Sequence, residues 1–265
     1  MTDTRPIGVF DSGIGGLTVL KAIHQRAPEE TLIYLGDTAR VPYGSKSKET
    51  VLRYSRNNVK FLREMGVKMV VIACNTASAY ALPELVAENT IPIIGVVEGG
   101  VEAAVTHTKG VIGVIGTEAT VNSGAYSKAI KARRPEARVI SVACPMFVPL
   151  VEEGWTHGDI STAIVRAYLD RYKGQVDTLV LGCTHYPLLK EPIARALGPS
   201  IALIDSAEQT ALKVKETLDK LGASALAGTR GGLRFMVTDS PARSKQVGER
   251  MLGGLSMGEV ELVDI

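Results

Sequence analysis

Thr178–Pro187 reads TLVLGCTHYP, a short apolar run that breaks at Gly182 into Cys183, Thr184 and His185. A run of this length bounded by turn residues is the pattern of a parallel strand buried on both faces, and its polar residues fall where such a strand opens into a loop and helix. Upstream, Met69–Ser78 reads MVVIACNTAS and has the same form, ending on Cys74, Asn75 and Thr76. The two cysteines are 109 residues apart. Three further landmarks keep nearly the same offset in the same order: Gly8 and Gly113 at 105, Val41-Pro42 and Val148-Pro149 at 107, Ile94 and Ile204 at 110. A pattern used twice predicts α/β architecture built from two homologous doubly wound parallel-sheet domains, related by pseudo-twofold symmetry, with the site in the cleft between them. The expected division is residues 1–97 plus 208–265 for an N-terminal, discontinuous domain and 98–207 for the second, the tail LRFMVT and a last helix near Ala242–Leu252 packing back on the first.

Local signals fill in this frame. Ile7, Val9 and Phe10 form a first strand, after which Asp11 and Ser12 sit at the expected N-cap of a helix. The glycines of DSGIGG do not make the GxGxxG of a dinucleotide site, because Thr18 stands at the third glycine position. Tyr43 between Pro42 and Gly44 reads as an exposed turn residue. Helices are expected over Ser47–Met65, closed by Gly66, and over Ala77–Asn89, strained by Pro83, with Ile91–Val97 as a strand between the series. In the second series Glu152 is placed in a loop. Asp159 caps a helix carrying Ile160, Ile164, Ala167 and Tyr168 on one face, and Ser206–Gln209 forms a capping box.

Composition narrows the function. The 265 residues carry 30 basic and 28 acidic side chains, a net charge of +2, which provides no broad field for a polyanion. Nucleic acid is therefore not an expected partner. The run Lys131–Arg138 includes Glu136 and has no interleaved aromatics, the composition of a solvated helix end. No apolar run approaches the roughly 18 residues of a membrane span, and the N-terminus lacks a signal-peptide core, so no membrane association and a cytoplasmic location are expected. Three cysteines without CxxC spacing argue against a disulfide framework or a metal site.

In open parallel sheets, ligands bind beyond the carboxyl ends of the strands. If the two repeats face each other there, Cys74 and Cys183 approach one small molecule from opposite sides. A thiol passes readily between acid and base, so such a pair suits removal of a proton from one face of a carbon and its return on the other. Asp11, His185 and Glu152 are the candidates to assist. Ser12, Asn75, Thr76, Thr117, Thr120 and Thr184, with backbone N–H groups at helix starts, can hold carboxylates without a cationic side chain. Cys144 also ends a strand but matches Asp37 in its repeat, and is read as structural. A two-domain solute-binding protein would use the same cleft without chemistry. A pyridoxal phosphate enzyme would need a strand-end lysine that the motifs do not offer.

DSGIGG, VPYG, CNTAS, the VEEG containing Glu152, and GCTHYP together resemble the glutamate racemases, cofactor-independent enzymes of the aspartate/glutamate racemase superfamily. The resemblance runs from Ile7 to about Gly222. It implies interconversion of L- and D-glutamate for peptidoglycan synthesis, with no cofactor and a homodimeric assembly. It also implies Cys74 as the base acting on D-glutamate, assisted by Asp11, and Cys183 as the base acting on L-glutamate, assisted by His185 and Glu152. Asp11, Ser12, Tyr43, Gly44, Asn75, Thr76, Thr184 and His185 would hold the substrate. Within the superfamily, an aspartate racemase or a decarboxylase is the alternative, decided by cleft depth. Some members carry an N-terminal extension linked to activation by a cell-wall precursor. This chain enters its first strand by Ile7, so no such activation is expected.

Overall fold

The structure, a computed structural model, describes residues 2–265. Among the described residues ten strands form in chain order: β1 (Ile7–Asp11), β2 (Leu32–Gly36), β3 (Met69–Ile72), β4 (Ile93–Gly95), β5 (Val111–Gly116), β6 (Arg138–Ala143), β7 (Thr178–Gly182), β8 (Ala202–Ile204), β9 (Leu233–Val237) and β10 (Val260–Leu262). They make two sheets, ordered β10-β9-β2-β1-β3-β4 and β6-β5-β7-β8. All recorded pairings are parallel. The order β2-β1-β3-β4 repeats as β6-β5-β7-β8, and the register repeats with it: Val71 faces Ile94 across β3 and β4, and Val180 faces Ile204 across β7 and β8. β1, β2, β3 and β7 are buried at every residue, which is why they read as unbroken apolar runs. β6 is an edge strand and is only partly covered.

Helices follow the strands: α1 (Leu17–Arg26), α2 (Lys48–Glu64), α3 (Asn75–Glu88), α4 (Val96–His107), α5 (Glu118–Ser123), α6 (Ala125–Arg133), α7 (Phe147–Glu152), α8 (Asp159–Leu169), α9 (Lys190–Leu197), α10 (Ser206–Leu221) and α11 (Pro241–Leu252). Ser47 caps α2 by accepting from the Thr50 N–H, and Gly66 follows it at φ +74°, the left-handed geometry that favours glycine. The tail joins the first sheet, β9 pairing with β2 and the unanticipated β10 pairing with β9.

Several local expectations are corrected. Asp11 is no N-cap; it is the last residue of β1, and α1 starts only at Leu17 behind the glycine loop. α3 begins two residues early, at Asn75, with Cys74 as its cap; Pro83 lies within it, as expected. The strand expected over Ile91–Val97 shrinks to β4, because Val96 and Val97 open α4, an unforeseen helix whose Val97, Val101 and Ala104 pack with Ile112, Val114 and Val180 under the second sheet. Apolar runs alone do not separate a strand from a buried helix start. Glu152 is not in a loop but ends α7. In α8 Gly158, not Asp159, is the cap residue, and the buried face carries Ser161, Val165 and Leu169, leaving Ile160 exposed. Asp205, not Ser206, caps α10, accepting from the Ala207 N–H at 2.9 Å.

Candidate active site

In each sheet the chain leaves the central strand in both directions, so β1/β3 and β5/β7 are the switch points where loops part and ligands bind. Ser12 follows β1, Cys74 follows β3, Thr117 follows β5 and Cys183 follows β7. All four line one cavity of about 340 Å³, together with the expected Tyr43, Gly44, Asn75, Thr76, Glu152, Thr184 and His185. Asp11 and Thr120 are not on its wall. Asp11 is buried behind it, and Thr120 reaches it only through Thr76 and Thr117, whose hydroxyls it meets at 3.1 and 3.0 Å. Thr76 and Thr117 close that hydroxyl triangle at 2.9 Å, joining a residue after β3 to one after β5. Among the described residues no Lys or Arg lines the cavity, and no cluster of His, Cys, Asp and Glu is arranged to hold a metal ion.

The surroundings of the two thiols differ. Cys74 Sγ accepts from the Ala77 N–H at 3.5 Å as the cap of α3 and lies 3.6 Å from Ser12 Oγ. Burial and the nearby Asp11 carboxyl push its pKa up to about 12. Asp11 is itself raised by burial, with His185 and the Gly13 N–H pulling the other way, and its Oδ1 has no partner. Cys183 Sγ stands 3.9 Å from His185 Nδ1. The far side of that ring meets the Glu152 carboxylate, Nε2 to Oε1 at 3.1 Å. Burial works against the imidazolium, but Cys183 and Glu152 outweigh it and raise His185 to about 10, so the ring is doubly protonated at neutral pH. The bond to His185 holds Glu152 below its usual range.

Packing puts Glu152 in place. Phe147 at the start of α7 meets Tyr186 edge-on, centroids 5.1 Å apart, and Tyr168 at 5.4 Å. Such pairs contribute about 0.5–1.5 kcal/mol beyond area burial. Tyr186 Oη donates to the Cys144 carbonyl at 2.8 Å. The tyrosine of GCTHYP thus anchors α7 against its own loop, so that Glu152 reaches His185. Cys144 is fully buried beside them and is absent from the cavity wall.

The glycines of DSGIGG have a steric purpose. A Cβ on Gly15 would fall 2.3 Å from Thr184 Oγ1 and 2.5 Å from His185 Nδ1, and one on Gly16 would fall 2.6 Å from Asp11 Cβ. Gly13 O accepts from the buried Tyr34 hydroxyl at 2.9 Å. This loop lets the first sheet's end close on the second's. Gly44 does the same from the other side, 2.6 Å being all the room between its would-be Cβ and Thr117 Cβ.

Tyr43 corrects an expectation, since it is almost fully buried. Its hydroxyl donates to Asp37 Oδ2 and accepts from Asn58 Nδ2 at 3.1 Å, which leaves ring and backbone to face the cavity. Val148 and Pro149 line the cavity, as do Val41 and Pro42, wall residues whose signal was the repeat offset; Glu118 also lines it and had no signal.

Fold and site together define a two-sheet α/β enzyme whose duplicated strand ends converge, thiol and thiol, on one cavity. The model of the Asp/Glu/Hydantoin racemase family matches residues 7–214, and the chain belongs to that family of isomerases. It is 51% identical to a glutamate racemase of Geobacter metallireducens, over 98% of this chain and 97% of that one. A glutamate racemase of Aquifex aeolicus is 54% identical over 83% of this chain and 86% of its own length. The crystal structure of a Francisella tularensis glutamate racemase in complex with D-glutamate superposes with a TM-score of 0.92 at 40% identity, covering 99% of this chain and 98% of that one.

Proposed function

We propose that this protein interconverts L- and D-glutamate by a two-base mechanism in which Cys74 and Cys183 work on opposite faces of the α-carbon. The observation that carries the reading is the placement of both cysteines, at equivalent ends of β3 and β7, on the wall of one cavity that holds no Lys or Arg. The glutamate racemase names of its relatives and the D-glutamate in the Francisella structure support the substrate.

From the empty state, the raised Cys74 carries its proton, while Cys183 faces the imidazolium of His185, which stabilises negative charge on the sulfur. L-Glutamate then loses its α-proton to Cys183 Sγ, and the electron pair left at the α-carbon spreads into the α-carboxylate. Cys74 gives its proton to the other face, producing D-glutamate and leaving a Cys74 thiolate and a Cys183 thiol. D-Glutamate runs the same steps backward, with Cys74 as base and the buried Asp11 carboxyl beside it as its proton partner. The substrate carboxylates are held by Ser12, Asn75, Thr76, Thr117, Thr184 and His185 and by N–H groups at the start of α3, with Gly44 and the Tyr43 ring and backbone shaping the wall; Thr120 acts by fixing Thr76 and Thr117. No cofactor is required by this sequence of steps.

The biological reading that goes with it is supply of D-glutamate for peptidoglycan from a cytoplasmic homodimer, each protomer folded as residues 1–97 plus 208–265 against 98–207. Among the described residues no helix is long and apolar enough to cross a membrane. Incubation with L-glutamate in D₂O without added cofactor tests the chemistry. D-Glutamate carrying solvent deuterium at the α-carbon is expected, and its failure to appear would remove the racemase reading.

A further inference from the structure

Asn75 is the first residue of α3, 3% exposed and on the cavity wall. Its Oδ1 accepts from Tyr126 Oη at 2.6 Å, while its Nδ2 is buried without a partner. Tyr126 belongs to α6, under the second sheet, so the bond crosses from one half of the molecule to the other. The ring has almost no latitude: a Cβ on Gly182, the residue before Cys183, or on Gly100 of α4 would come within 3.2 Å of its edge carbons. Burial, reinforced by Cys183 and Asp205, drives the phenol far above its ordinary range, so it keeps its proton and must donate it. Among the described residues the Asn75 carbonyl is its hydrogen-bond acceptor. A flipped amide would set N–H against O–H, orphan the phenol proton, and turn a carbonyl toward an anionic substrate. Leaving a buried donor unpaired costs about 1–3 kcal/mol, enough to hold one orientation.

We propose that Tyr126 is a positioning residue that locks the Asn75 amide with its NH₂ toward the cavity, where it donates to a carboxylate oxygen of the substrate. The proposal rests on the glutamate reading. It also gives the two halves a reason to be assembled before substrate binds, because the second sheet's unit aims a donor that the first one carries.

The test is a double-mutant cycle on the full-length protein, with initial rates of glutamate racemisation followed by circular dichroism. Tyr126→Phe should raise KM roughly tenfold, the loss falling mainly on KM rather than kcat, as for one hydrogen bond to a charged group. Asn75→Ala should lose at least as much. In the Asn75→Ala background, adding Tyr126→Phe should cost less than about twofold, because the phenol acts only through the amide. A KM for Tyr126→Phe within twofold of the wild type, or single losses that multiply in the double variant, would overturn the proposal. Titration calorimetry with D-glutamate reads the same cycle without turnover. Wild-type protein that binds but does not racemise would overturn the two-base reading and leave the calorimetric cycle to decide on Tyr126; protein that does not bind would overturn both.

Discussion

At the end of β3, Cys74 meets a serine hydroxyl, a helix N–H and a buried carboxyl; at the end of β7, Cys183 meets an imidazolium backed by a glutamate. The strands, registers and cavity positions correspond, and the charges do not. A duplicated backbone therefore gives two thiols equivalent placement, and side chains outside the repeat pattern give them different electrostatic surroundings. His185 sits two residues beyond Cys183, whereas Thr76 holds the matching place beyond Cys74. Asp11, from the neighbouring strand end, is the acid near Cys74, and Gly116 occupies the corresponding strand end in the second half. The proposed two-base racemisation calls for this kind of unequal pair, one sulfur arriving as base while the other holds a proton.

The most severe way to break the comparison is to remove either member. Cys74→Ser and Cys183→Ser should each lower kcat by about a thousandfold, in the range for loss of an acid–base group, measured by circular dichroism from either enantiomer. Cys144→Ser should stay within a few-fold, since that thiol is buried off the cavity wall; a loss like that of the other two would erase the distinction. Next comes the contact that brings the halves together. Gly15→Ala must displace Thr184 or His185, and a shift of about 1 Å in such a group costs on the order of a hundredfold in rate. An unchanged rate in that variant would mean that the glycine loop yields instead.

Glu152→Gln sharpens the charge asymmetry and is the smallest perturbation. Removing the carboxylate takes away one of the two influences that raise His185, so its pKa must fall from about 10 toward 6.5. The alkaline limb of the L-to-D rate should move to lower pH, with about a tenfold loss at pH 9, read from a pH–rate profile. Stability follows the same sign. A histidine raised on folding contributes stability that is complete below its unfolded value, near 6.5, and is lost as pH rises through about 10. Thermal melts should accordingly show the variant trailing the wild type at pH 6 and converging with it toward pH 10. A pH profile identical to the wild type would detach Glu152 from His185.

Legibility differed by region for reasons that particular residues show. The buried strands were readable because a parallel strand covered on both faces must be apolar throughout, and Cys74 and Cys183 stood out because each breaks such a run at the same offset. Val96 and Val97 continued an apolar run into a helix, and a run carries no period to betray the change. Tyr43 looked exposed because proline and glycine flank it; its partners, Asp37 and Asn58, lie 6 and 15 residues away. Nothing local could have announced them.

By itself, the sequence determined the duplicated α/β architecture, the sheet to which the tail returns, and the two thiols that follow β3 and β7, because those follow from hydrophobic pattern and chain order. Tertiary structure alone decided that Gly15 must be glycine to admit His185, that Tyr186 braces α7 so Glu152 reaches the ring, that Asp11 and Thr120 stand behind the wall rather than on it, and that Tyr126 holds Asn75. Each of these depends on atoms meeting across the two sheets, at distances that no spacing along the chain encodes. The raised pKa of Cys74 is likewise tertiary, set by burial and by Asp11 from a neighbouring strand.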